Sequence, residues 1–154
     1  MRRSARVVPE GPPPPLQRIR VQGDAESLRL LGSLRAYYAG DIGAVDELAT
    51  EGGGTPFQER VWAELRRIPV GTTISYGELA VRLGDKKATR AVGLANGRNP
   101  ISVVVPCHRV IGADGSLTGY GGGVPRKKWL LAHEGVVLRE SCAARQADLF
   151  SGGN

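Results

Sequence analysis

Residues 55–80 read TPFQERVWAELRRIPVGTTISYGELA, and this stretch decides the fold. Thr55 can cap a helix. Pro56 sits at the first helical position, where a missing N–H costs nothing, and Gln58, three after the cap, can bond back to it. Phe57, Val61 and Leu65 then share one face, and that helix should stop before Pro69. Val70, Gly71 and Thr72 predict a turn. Ser75 and Glu78 form a second capping box, with Leu79, Ala80 and Leu83 on one side and Gly84 as the stop. Residues 87–96 predict a further helix with Ala88, Ala91, Val92 and Ala95 on one side. Two short helices joined by a tight Gly-containing turn, the second rich in basic residues, make the pattern of a helix-turn-helix. Many such pairs bind nothing, so the pattern alone leaves DNA binding open.

Outward from this core, the β-branched run Ile101-Ser102-Val103-Val104-Val105 predicts a buried strand leading into Pro106-Cys107-His108-Arg109. Asp114-Gly115 predicts a hairpin-type turn. Residues 119–123 predict a Gly-rich loop, and residues 125–134 a last helix with Trp129 and Leu130 inward. On the N-terminal side, Leu28, Leu31, Leu34 and Tyr38 recur at helical spacing, so an amphipathic helix should end near Gly40. Residues 51–54 read as a loop and residues 16–21 as one short strand. Pro9 and the run from Pro12 to Pro15 predict an extended leader. Residues 137–154 form a tail of weak periodicity whose last four positions should be disordered.

A chain of 154 residues suits one compact domain with a small appendage, and 41% hydrophobic content is enough for its core. The formal net charge is +6. Residues 57–128 hold twelve Lys and Arg against five Asp and Glu. That concentration points to an anionic partner or to a solvated basic face. The two cysteines, Cys107 and Cys142, do not resemble a secreted disulfide framework. No apolar stretch follows the basic start, and none approaches membrane-spanning length. The expectation is a cytoplasmic protein without membrane contact.

Cys107 beside His108 and Arg109 has the makings of a nucleophile, since thiolate is the reactive form and positive charge or a hydrogen-bonded base favours it. Glu134 could relay the proton. The competing reading is a buried thiol that simply fills the core. Zinc is disfavoured: Cys107, His108, His133 and Cys142 lack any paired short spacing, and adjacent Cys and His rarely ligate one ion. The glycines of 119–123 lack the Lys-Ser/Thr of a phosphate-binding loop. Tyr76 and Tyr120 could stack on bases or lie in the core.

The run Pro106-Cys107-His108-Arg109-Val110-Ile111-Gly112 resembles the active-site signature of the O6-alkylguanine-DNA alkyltransferases. The likeness extends in order and spacing through residues 55–58 with Val61-Trp62, IPVGTTISYGELA, Arg90-Ala91-Val92-Gly93, Asn99-Pro100, and Arg126-Lys127-Lys128-Trp129-Leu130-Leu131 with Glu134. It covers roughly residues 28–135 and is strongest from Thr55 onward.

The resemblance implies an α/β (α+β) fold: a short N-terminal α/β part, then a mainly helical, winged-helix-like DNA-binding alkyltransferase domain. Its divisions would be a Pro-rich leader (1–15), a trimmed N-terminal α/β segment (16–54), the alkyltransferase domain (55–136) and the tail. It implies a single-turnover methyltransferase that takes the alkyl group of O6-alkylguanine onto Cys107, without cofactor. His108 would act through a water as the base, and Glu134 would hold His108. Asn99 would brace the turn carrying the cysteine. Tyr76 would press on the phosphate beside the target nucleotide and donate a proton to the leaving guanine. Arg90 would fill the stack when the base is flipped out. Ala88, Thr89, Gly93, Arg98 and Arg109 would complete the DNA-facing set, with small residues, Ala91 among them, permitting close approach in the minor groove. Val110, Tyr120, Gly121 and Gly122 would line the base pocket. The partner would be double-stranded DNA, bound by a monomer, with cooperation along DNA left open.

Two features depart from the family pattern. The segment before Thr55 is shorter than in many relatives. Gly121 stands where Ser or Ala is common, which predicts a looser loop over the pocket. Three rivals remain: a lesion sensor, a plain winged-helix regulator and a thiol hydrolase. Sensor relatives carry Trp at the cysteine position, a regulator would leave Cys107 and Glu134 without purpose, and a hydrolase would need an oxyanion hole.

Overall fold

A computed structural model describes residues 25–50 and 53–138. The expected strand at 16–21, the Pro-rich leader, Cys142 and the tail beyond 138 lie outside the described residues. The chain runs α1 (Ala25–Ala39), α2 (Pro56–Leu65), β1 (Ile74–Ser75), α3 (Tyr76–Arg82), α4 (Thr89–Gly97), a 3-10 turn (Cys107–Arg109), β2 (Val110–Ile111) and α5 (Val124–His133).

Both capping boxes form. Thr55 Oγ1 accepts from the Gln58 N–H while Gln58 Oε1 accepts from the Thr55 N–H. Ser75 and Glu78 repeat the exchange. Gly84, at φ +87°, ends the second of these helices in the left-handed conformation. α4 begins at Thr89, two residues later than its periodicity suggests. Ala88 has no side chain with which to cap, and Lys87 N–H is already held by Asp85 Oδ1 in a local turn.

Two apolar clusters form around this frame. Val61, Trp62, Leu65, Ile74, Leu79, Val92 and Val110 unite α2, α3, α4 and the two strands. Leu34, Tyr37, Val45, Val103, Val104 and Leu130 unite α1 and α5. The strands are two residues each and pair in parallel, Ile74 with Val110 and Ser75 with Ile111. Trp62 Nε1 donates to the Ala95 carbonyl at 2.9 Å and so fixes α4 against α2.

The expected strand at residues 101–105 does not form. Asn99 Oδ1 accepts from Ile101 N–H, and Asn99 Nδ2 donates to the Val105 carbonyl at 2.7 Å. Val105 N–H closes on the Ile101 carbonyl, and the run doubles back as a turn. Its valines are buried as predicted, but they divide: Val103 and Val104 enter the α1–α5 cluster and Val105 the other. Val103 adopts φ +76°, a strained state for a β-branched residue that costs about 1–3 kcal/mol and persists only where surrounding contacts over-determine it. At Asp114-Gly115 the turn is present, with Gly112 N–H bonded to the Ser116 carbonyl, but no strand follows and no hairpin results. Among the described residues the N-terminal part contributes α1 and turns, without a strand.

Candidate active site

Cys107 is buried in the cluster that unites α2, α3, α4 and the strands, 4% exposed. Pro106, with φ −81° and ψ 64°, forms an inverse γ-turn in which Cys107 N–H bonds to the Val105 carbonyl at 2.8 Å. The 3-10 turn then carries Cys107, His108 and Arg109 as consecutive buried residues. Asn96 Nδ2 donates to the Cys107 carbonyl at 3.4 Å. A cavity of about 140 Å³ meets Cys107, lined also by Asn96, Asn99, Ser102, Tyr120 and the glycine loop. Larger hollows lie beside Arg66 and beside Leu30, and neither contains a thiol.

Behind the cysteine, Glu134 accepts four hydrogen bonds. His108 Nε2 and Arg109 Nη2 reach Oε1 at 2.8 and 2.9 Å, Tyr37 Oη reaches Oε1 at 2.8 Å, and Arg109 Nε reaches Oε2 at 2.9 Å. Burial alone would raise this carboxyl, but the bonds from His108 and Arg109 outweigh it and hold it at about 2. It is therefore ionised at neutral pH and can only accept. The shared proton then belongs to His108 Nε2, and Nδ1 carries a lone pair. Burial, the largest influence, also keeps His108 neutral by lowering its pKa. His108 Nδ1 is buried and has no protein partner. A proton acceptor thus stands next in the chain to a cysteine. Burial pushes the Cys107 thiol up, against the opposing influence of Asn99, Lys127, its own N–H and Ser102.

Residues 56–136 match the family described as 6-O-methylguanine DNA methyltransferase, DNA binding domain. The chain belongs to this family. Among similar proteins, the methylated-DNA–protein-cysteine methyltransferase of Shigella flexneri is 60% identical over 109 residues, covering 71% of this chain and 64% of that protein. That of Mycolicibacterium paratuberculosis is 58% identical over 101 residues, covering 66% and 61%. The chain thus spans somewhat less than two thirds of these curated relatives. The structure of Mycobacterium tuberculosis OGT in complex with DNA superposes with TM-score 0.60 at 52% identity, covering 70% of this chain and 66% of that one. Schizosaccharomyces pombe Atl1 in complex with damaged DNA containing O6-carboxymethylguanine gives TM-score 0.51 at 30% identity, covering 60% and 87%.

In this family member the expected residues do not all fall where the motif suggested. Cys107, Asn99, Tyr120, Gly121 and Gly122 meet at the cavity, and His108, next to Cys107 in the chain, bonds to Glu134. Tyr76 is half-buried and donates to the Thr118 carbonyl at the start of the glycine loop, at 3.1 Å. Thr89, Arg90 and Ala91 are exposed on α4, and Arg98 is exposed just after it. Arg109 is not on the DNA-facing surface. It is 3% exposed, and its guanidinium is consumed by Glu134 and the Ile68 carbonyl. Val110 does not line the cavity. It is fully buried, and its carbonyl accepts from Lys127. Ala88 packs against the core and Gly93 lies against Tyr76, so both turn partly inward. Sequence reasoning missed Tyr37, Asn96 and Lys127. Lys127, Leu131 and Glu134 lie on one helical face, and that spacing was the available signal.

Proposed function

We propose that this protein repairs DNA by moving the alkyl group of O6-alkylguanine, a methyl group in the simplest case, onto Cys107. The observation that carries this reading is the buried chain Glu134–His108, in which His108 directly follows Cys107 and its buried Nδ1 has no protein partner. A water between Nδ1 and the thiol would pass the proton to His108. The sulfur then attacks the alkyl carbon: the S–C bond forms, the C–O6 bond breaks, and its electrons pass into the guanine ring. Tyr76 would return a proton to that ring. Burial and the neighbouring Cys107 sulfur raise its phenol, which keeps it protonated at neutral pH. The product is a thioether, which water does not cleave, so each molecule acts once. No cofactor takes part, because the lesion supplies the alkyl group.

Several features support DNA as the partner. Lys86, Lys87, Arg90 and Arg98 are exposed on or beside α4 and make no ion pair among the described residues. The small cavity suits one base with its sugar and phosphate left outside, which requires flipping. Arg90, exposed on α4, would fill the gap left in the stack. Minor-groove docking would make binding tolerant of sequence, as repair at arbitrary sites demands. The reduced thiol fits a cytoplasmic protein.

Intact mass spectrometry after incubation with duplex DNA bearing O6-methylguanine tests the proposal. The expected result is one added methyl group, mapped to Cys107, with no second turnover and no gain in Cys107→Ser. A wild-type chain that binds this DNA and stays unmodified would replace transfer with lesion sensing.

A further inference from the structure

The two oxygens of Glu134 are unequally loaded. Among the described residues Oε2 accepts from Arg109 Nε alone, whereas Oε1 accepts from His108 Nε2 at 2.8 Å, Tyr37 Oη at 2.8 Å and Arg109 Nη2 at 2.9 Å. A carboxylate oxygen has about two lone-pair sites, so three donors must divide Oε1 between them. Arg109 cannot yield, because Nε holds Oε2 and Nη1 holds the Ile68 carbonyl, which fixes the guanidinium plane. Tyr37 and His108 share what remains. Tyr37 is fully buried and held at its backbone and at its ring. Its carbonyl lies 2.6 Å from His133 Nε2, and its ring meets Tyr38 and His133 edge-on at 5.4 and 5.1 Å. Burial first, and then the Glu134 charge, push its phenol far above the ordinary value, so it donates at every working pH.

We propose that Tyr37 is a positioning residue that restrains the proton relay, by taking a share of the one Glu134 oxygen that holds His108. The inference rests on the reading above in taking His108 as the base for Cys107. A histidine whose N–H meets a fully available carboxylate oxygen is the more basic at its other nitrogen. Sharing Oε1 weakens that bond and leaves Nδ1 less basic, so the thiol keeps its proton at rest. A sulfur that is used only once gains from this, because stray electrophiles meet a thiol and not a thiolate. The charged groups acting on His108 are Glu134, Arg109 and Lys127, and Glu134 alone is an anion. How much of Oε1 His108 commands therefore sets the imidazole. The restraint comes from α1, outside the family-matched residues 56–136.

The test uses the full chain with Cys142→Ser, so that one thiol reports, and compares Tyr37→Phe with Tyr38→Phe. Tyr38 packs on Tyr37, Trp129 and His133 but makes no bond to Glu134 among the described residues. The His108 ring is titrated by NMR, and carbamidomethylation of Cys107 by iodoacetamide is followed by intact mass across the same pH range. Tyr37→Phe should raise the His108 pKa by about one unit and speed carbamidomethylation at neutral pH by up to about tenfold. Tyr38→Phe should move neither. A lowered melting temperature in Tyr37→Phe with an unmoved His108 titration would show a packing role and overturn the proposal, as would equal shifts in the two variants. Should Tyr37→Phe fail to fold, 3-fluorotyrosine in place of tyrosine makes the same phenol a stronger donor in the intact sequence. The His108 Nε2 proton should then move upfield, and an unmoved resonance would overturn the proposal. Failure of alkyl transfer from DNA would leave these measurements intact, so the two readings fail separately.

Discussion

Glu134 is a buried carboxylate that accepts from three residues, Tyr37, His108 and Arg109, and its replacement is correspondingly severe. In Glu134→Gln the Arg109 guanidinium, 3% exposed, keeps no counter-charge. Breaking one side of a buried pair costs about 3–5 kcal/mol, and thermal denaturation should show a loss of that order. The same cluster sets the response to acid. Glu134 titrates at about 2 when folded against 4.5 as its ordinary value, so its contribution is complete above pH 4.5 and is lost as pH falls toward 2. His108 is held neutral by burial, below its ordinary 6.5, so the unfolded chain binds the extra proton and stability begins to fall below that pH. Melting temperature should therefore decline steadily from about pH 6.5 downward. A flat acid limb would contradict the buried neutral imidazole.

Among the elements, the turn at residues 99–106 shows what sequence can and cannot announce. Both capping boxes were legible because each is a local exchange between residues three apart. The 101–105 run was misread because its composition reports burial, not direction. Its shape comes from Asn99 and from the division of its valines between two clusters, which is tertiary information. Arg109 was misplaced and Lys127 was missed for a related reason: charge argues for the surface unless the partners are known. Asn99→Ala should cost about 1–3 kcal/mol by leaving the Val105 carbonyl and Ile101 N–H unpaired, measured by denaturant unfolding. Asn99→Asp should recover part of that stability, yet slow Cys107 alkylation at neutral pH by placing negative charge beside the thiol. In the glycine loop, a Cβ at Gly121 would meet only the Gly97 carbonyl at 3.9 Å, and its φ is not positive. Gly121→Ala should then stabilise by about 0.4–1 kcal/mol and leave transfer intact. A large loss of reactivity would mean that this loop must open further than its present contacts require.

For the whole molecule, charge and connectivity make separate demands. The basic face beside α4 predicts DNA affinity that falls steeply with salt. Arg90→Ala should weaken transfer from duplex DNA far more than from the free methylated base. Equal losses on both substrates would remove Arg90 from base flipping. Cys107→Ser should bind DNA as wild type does.

The family-matched region, residues 56–136, contains Cys107, His108 and Glu134 together. Yet Tyr37, on α1, donates to Glu134 through its hydroxyl, and its carbonyl lies 2.6 Å from His133 Nε2. A graft of the matched region alone onto another scaffold would carry every reacting atom and still arrive detuned. The carboxylate would lack one of its donors, and His133 would lack its acceptor. The smallest portable unit of this chemistry therefore reaches back at least to the helix that bears Tyr37.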